Sequence, residues 1–202
     1  MTIAYDIDDV TVEFMPALLD FYNSKYNRNL MFKDVFSFGL WEVGIGRTKE
    51  ESVQIIHDFY NSDFFERMAF VNGAREGILK SSEKNQICFI SARYSTVREK
   101  TSEFLLEHFP MSKIFYSRSY IDPGKTKAEI CKDLEIGVMI EDELNTAIEC
   151  HEAGIRTLLF DKPWNRSLNG NRKISGELER VHNWEEILEK IKGYGGENGV
   201  HS

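Results

Sequence analysis

The chain has 202 residues, 42% of them hydrophobic, enough for one sizeable domain or a domain with a small insertion, and too apolar for a disordered chain. A formal net charge of −8, with no run of lysines and arginines, argues against binding a nucleic-acid polymer or an anionic membrane. Cys88, Cys131 and Cys150 are scattered and form no CxxC pair, which points to a reducing compartment; without a secretory leader pattern or an apolar run near the roughly 20 residues of a membrane span, a cytoplasmic protein is expected.

In chain order, residues 2–7 read as a short buried strand ending in acids. Residues 14–26 read as a helix with Phe14, Leu18, Phe21, Tyr22 and Tyr26 near one face. The glycines of "KDVFSFGLWEVGIGR" suggest a loop, and the capping-box pair Thr48 and Glu51 opens a second helix striped by Val53, Ile56 and Tyr60. A strand is expected at 86–91, then a helix over 96–108 capped by Thr96 and Glu99, and a strand at 113–117. Thr126 and Glu129 open another helix, with Ala128, Ile130, Cys131 and Leu134 inward; a strand at 136–140, a helix at 144–153 and a strand at 156–160 come next. Trp184, Ile187, Leu188 and Ile191 mark a last helix before a Gly-rich tail.

Strand and helix thus alternate from about residue 72, the pattern of an α/β fold with a Rossmann-like parallel sheet flanked by helices. The helical, aromatic-rich stretch after the first strand breaks that alternation. The expected organisation is a core of residues 1–13 and 72–193, a helical cap of 14–71 and a flexible tail of 194–202.

Ligands of an open parallel sheet sit beyond the carboxyl ends of its strands. Those ends carry Asp6, Asp8 and Asp9, then Ser91 and Arg93, then Lys125 and Lys127, then Glu141 and Asp142. Clustered carboxylates need a cation, and oxygen-only ligands suit Mg²⁺. A hydroxyl, a lysine and helix N-termini suit a phosphate. A metal beside a phosphate site implies phosphoryl chemistry.

The ordered set resembles the haloacid dehalogenase-like (HAD) superfamily. Its DxDx(T/V) motif matches Asp6-Ile7-Asp8-Asp9-Val10, its strand ending in Ser or Thr matches "CFIS" at Ser91, its helix-start lysine matches Lys127 or Lys125, and its acidic pair matches "VMIED" at Glu141 and Asp142. Asp9 departs from the glycine common at that position. "ISARYSTVREKTSEFLLEHF" and "LLFDKPWNR" look like the 5′(3′)-deoxyribonucleotidase branch and related bacterial nucleotidases.

The resemblance implies a Mg²⁺-dependent phosphomonoester hydrolase with Asp6 as nucleophile, Asp8 as acid and base, and Ser91 with the lysine on the transferring phosphoryl group. It implies a metal held by Asp6, the main-chain carbonyl of Asp8, Asp142 and, through water, Glu141. A small phosphorylated metabolite is the expected partner, with nucleoside monophosphates preferred; a sugar-phosphate phosphatase and a non-catalytic phosphate-binding protein are the alternatives. The helix-cap signal favours Lys127 over Lys125. Arg93 is read equally as a phosphate or substrate ligand and as a surface arginine. Phe36, Phe38 and Trp41 could stack on a base, though cap aromatics more often pack, and the same face could join a homodimer. Asn145 reads as a first-turn polar residue sooner than as a support for Asp142, Trp164 and Asn165 as a surface loop sooner than as the pocket rim, and His57, His108, His151 and His182 have no ligand-like spacing.

Overall fold

The computed structural model describes residues 1–166 and 178–197. Strands β1 (Thr2–Tyr5), β2 (Gln86–Ser91), β3 (Lys113–Tyr116), β4 (Val138–Glu141), β5 (Arg156–Phe160) and β6 (Glu179–Val181) form one sheet in the order β3-β2-β1-β4-β5-β6. Every pairing is parallel. Ile3 lies between Ile87 and Val138, and Tyr5 between Phe89 and Ile140. These strands read as unbroken apolar runs because helices cover both faces. Side chains alternate between the faces. Ile3, Tyr5, Phe89 and Ile140 join a core with Ile78 and Trp184, whereas Ala4, Cys88, Ile90 and Met139 join one with Ile130, Cys131 and Cys150. The three thiols are buried and unbridged, acting as small apolar side chains.

The chain runs outward from β1 through β2 to β3, then crosses back to place β4 on the other side of β1. That reversal opens a crevice at the carboxyl ends of β1 and β4. Over it sit α1 (Phe14–Tyr26), α2 (Lys49–Tyr60) and α3 (Asp63–Glu66), inserted between β1 and β2 as expected of a cap. They share a second apolar core containing Leu18, Phe21, Ile56, Phe59 and Phe65, with Phe14 edge-on to Phe59 at 5.3 Å. As the sequence predicts, the Thr48 hydroxyl accepts the Glu51 N–H at the start of α2.

Several boundaries differ from expectation. A helix not anticipated, α4 (Ala74–Ser82), enters through Gly73 at φ 80° and buries the small residues Ala74, Gly77 and Ser81 beside Ile78. The helix expected at 96–108 starts as a 3-10 turn over Ser95–Val97 before α5 (Arg98–His108), with no side-chain cap from Thr96. Ser95 instead donates its N–H and hydroxyl to Asp122, both at 2.8 Å, tying this turn to the loop after β3. Helices α6 (Lys127–Asp133) and α7 (Leu144–Glu152) form as predicted. The short β6 was not foreseen. The last helix, α8 (Trp184–Glu197), runs into the segment expected as a tail and buries Tyr194; residues 198–202 lie outside the described residues. Among the described residues, no helix is long and apolar enough to cross a membrane.

Candidate active site

Asp6 comes directly after β1, and its N–H still bonds the Ile140 carbonyl at 3.0 Å, so its side chain emerges at the seam between β1 and β4. The loop behind it is tight: Thr11 donates its hydroxyl to the Asp6 carbonyl at 2.7 Å, and the Thr11 and Val12 N–H groups bond the Ile7 carbonyl. Asp9 adopts φ 57°, the left-handed region that favours glycine and tolerates aspartate. Both of its carboxylate oxygens accept the Met15 N–H, at 3.1 and 3.0 Å, so it closes the N-terminus of α1, where a negative charge is favoured.

The capping box of Thr126 and Glu129 sets Lys127 at the first position of α6. Its buried ammonium lies 2.7 Å from Asp6 Oδ1 and 2.7 Å from Glu141 Oε2. Lys125, the other candidate, is exposed and pairs with Asp133, away from Asp6. Glu141 ends β4 fully buried, and its Oε1 accepts the Glu143 N–H at 3.0 Å. Trp164 Nε1 donates to Asp142 Oδ2 at 2.9 Å. Asn165 donates to the carbonyls of Asp142 and Phe160, both at 2.7 Å, and Arg180 holds the Asn165 side-chain oxygen at 2.6 Å. Trp164 and Asn165 are therefore not a surface loop: both are buried and brace Asp142, and Trp164 lines the cavity beneath the cap, as the rim alternative has it. A Trp-Asn pair just beyond a strand's carboxyl end was the available signal.

One carboxylate oxygen from each of Asp6, Glu141 and Asp142 lies within 4.8 Å of the others. Burial raises the Asp6 carboxyl above its ordinary range, against the pull of Lys127. Burial, then repulsion from Asp6, pushes Glu141 up to about 8 although Lys127 opposes it. Asp142 is raised well above its usual range by burial and by Glu141, Asp6 and Asp9. Asp9 is pushed up to about 8 by burial, against Lys162. Burial works against the Lys127 ammonium, yet Asp6 and Glu141 raise its pKa and keep it charged. Four buried carboxylates thus face two lysines, an imbalance a divalent cation would correct. An all-oxygen donor set fits Mg²⁺.

Asp8 lies outside that triad. Its carboxylate meets Arg93, with Nε 3.1 Å from both oxygens and Nη2 2.6 Å from Oδ1. Arg93 is buried, so it is not a surface arginine; burial opposes its charge, but Asp8 raises its pKa. The Ser91 hydroxyl, fully buried at the end of β2, accepts the Arg93 N–H at 3.1 Å.

Between cap and sheet edge lies a cavity of about 650 Å³. Asp6, Lys127 and Asp142 line it from the core, and Phe38 and Trp41 from the cap. Phe36 is 57% exposed and lies outside the lining. Tyr120, absent from the sequence-derived candidates, reaches the cavity from the loop after β3, 6.5 Å edge-on from Trp41 and 4.3 Å under the Lys49 ammonium. Asn145 lines the cavity in the first turn of α7, where it hydrogen-bonds Glu143. None of His57, His108, His151 and His182 lines it.

Comparison with known proteins agrees with this geometry. A nucleotidase of Clostridium acetobutylicum, CA_C3379, is 24% identical over 187 residues, covering 93% of this chain and 91% of that protein. A haloacid dehalogenase-like hydrolase from Streptococcus pneumoniae superposes with a TM-score of 0.66 at 14% identity, over 94% of this chain and 97% of the other. The "putative HAD-hydrolase YfnB" of Bacillus subtilis, solved bound to magnesium, superposes with a TM-score of 0.64 at 17% identity, over 94% and 97% of the two chains. These likenesses show the HAD fold, an all-parallel sheet with helices inserted after its first strand. The family model described as "5' nucleotidase, deoxy (Pyrimidine), cytosolic type C protein" matches residues 1–193, and the chain belongs to that family of HAD-type hydrolases.

Proposed function

We propose that this HAD-type phosphatase hydrolyses (deoxy)nucleoside monophosphates with Mg²⁺, through an aspartyl-phosphate on Asp6. The observation that carries the reading is the placement of Asp6, at a strand end, 2.7 Å from the buried Lys127 and inside the carboxylate triad. Asp6, Asp142 and Glu141 would hold the metal, which when bound neutralises charge on the phosphoryl group. An Asp6 oxygen attacks phosphorus as the ester P–O bond breaks, and Asp8 gives its proton to the leaving oxygen. Asp8 then takes a proton from water, whose oxygen attacks the same phosphorus and returns the Asp6 carboxylate with inorganic phosphate. Lys127 and Ser91 hold phosphoryl oxygens. The family and the relative's name support a nucleotide substrate, and Phe38, Trp41 and Tyr120 offer aromatic faces to a planar base.

The test is phosphate release from deoxy- and ribonucleoside 5′- and 3′-monophosphates beside sugar phosphates, with and without Mg²⁺. The expected result is Mg²⁺-dependent release favouring nucleotides, lowered at least about 10³-fold by Asp6→Asn. Release from sugar phosphates alone would discard the nucleotide substrate. Equal inertness of wild type and Asp6→Asn with Mg²⁺ present would overturn the hydrolase reading.

A further inference from the structure

The Asp8–Arg93 pair joins residues 85 apart in sequence, and it is built on more than one side. Arg93 Nη1 donates to Thr101 Oγ1 on α5 at 3.0 Å. The guanidinium carbon lies 5.0 Å from the centre of the Phe65 ring on α3, in the cap. The Arg93 N–H to Ser91 fixes where the side chain begins. The Arg93 side chain is 2% exposed and that of Asp8 25%, so the carboxylate meets the cavity with the guanidinium behind it. Each of the three guanidinium nitrogens is engaged by Asp8 or Thr101, which fixes the plane of the Arg93 side chain against the Asp8 carboxylate. A fork-shaped donor contacting both oxygens fixes direction as well as distance, which an ammonium does not.

We propose that Arg93 is a positioning residue: its guanidinium, wedged between Thr101 of the core and Phe65 of the cap, aims the Asp8 carboxylate into the cavity and ties that aim to the seating of the cap. The proposal rests on the hydrolase reading in which Asp8 transfers the proton. A correctly aimed acid lets the leaving group depart as a neutral alcohol, so the first step depends little on leaving-group acidity. A misaimed one leaves it to depart as an oxyanion, and poor leaving groups suffer most. The same defect slows proton removal from water in the second step, so phosphorylated Asp6 accumulates.

The experiment compares single-turnover release from 4-nitrophenyl phosphate and phenyl phosphate, with Mg²⁺, in wild type, Arg93→Met, Thr101→Val and Phe65→Leu. In Arg93→Met, release from phenyl phosphate is expected to fall about 10²-fold and release from 4-nitrophenyl phosphate less than about 10-fold. With substrate in excess, 4-nitrophenyl phosphate should also give a burst of one nitrophenol per enzyme. Thr101→Val and Phe65→Leu should show the same bias more weakly; they keep the charge and carry the test if Arg93→Met does not fold by circular dichroism. An equal fall for both esters without a burst, or a rise confined to KM, overturns the positioning role while the hydrolase reading stands. A wild type inert toward both esters and toward nucleotides removes that reading and the proposal together.

Discussion

At the scale of single residues, the carboxyl edge of the sheet holds more buried negative charge than its lysines can balance. Glu141 and Asp9 are each pushed up to about 8, chiefly by burial. A carboxyl whose folded pKa exceeds its unfolded one binds a proton in the folded state that the unfolded chain has released. The stability tied to it is therefore present below the unfolded pKa and lost as pH rises towards about 8. A cation among the carboxylates removes the penalty. The metal-free melting temperature should fall between pH 6 and pH 8.5, and millimolar Mg²⁺ should raise it more at pH 8.5 than at pH 6. Differential scanning fluorimetry at the two pH values decides this; an equal shift at both, or none, would sink the idea. The two candidate lysines separate in the same way. Lys127→Met strips the counter-charge from Asp6 and Glu141 and should cost on the order of 3 kcal/mol in urea unfolding of the metal-free protein at pH 8. Lys125→Met removes only an exposed pair and should leave the unfolding midpoint where it is.

At the scale of elements, local chemistry explains most of the structure legible in the sequence. The capping box of α6 formed in full, Thr126 and Glu129 each accepting the other's N–H, whereas at α2 Thr48 accepts the Glu51 N–H but the Glu51 carboxylate turns to the Arg47 N–H, leaving half the expected box. The pattern at Thr96 and Glu99 looks similar but did not cap α5, since the preceding turn is held from outside by Asp122. Helix α4 escaped notice because its buried stripe is mostly small residues. The reason lies across the packing interface: a Cβ on Gly77 would stand 2.5 Å from Trp184 Cε3. Alanine normally gains about 1 kcal/mol over glycine inside a helix. Overpacking costs about 1–3 kcal/mol. Gly77→Ala is accordingly expected to lower the melting temperature, and a rise in a thermal melt would show that Trp184 yields freely.

At the scale of the whole molecule, the sheet order and the inserted cap turn separate motifs into one site. The fold class, the cap's place in the chain and the gathering of Asp6, a helix-start lysine, Glu141 and Asp142 at one edge were legible in the sequence. Buried parallel strands write themselves as apolar runs, and the residues just past each run must gather at the same edge. Several things were not legible. Arg93 was left between ligand and surface residue, Trp164 and Asn165 were read as a loop, Asp9 was an anomaly, and Tyr120 was not considered. Each depends on a partner distant in sequence or on a backbone angle: Asp8 for Arg93, Asp142 for Trp164, Trp41 for Tyr120, the turn at φ 57° for Asp9. By itself the sequence determined most of the elements, α4 and β6 apart, their order and the types of group at the strand ends, because periodicity, caps and strand ends are local. Only the tertiary structure decided which lysine meets Asp6 and which residues brace the acids, because those outcomes depend on distances that exist once the sheet has closed beneath its cap.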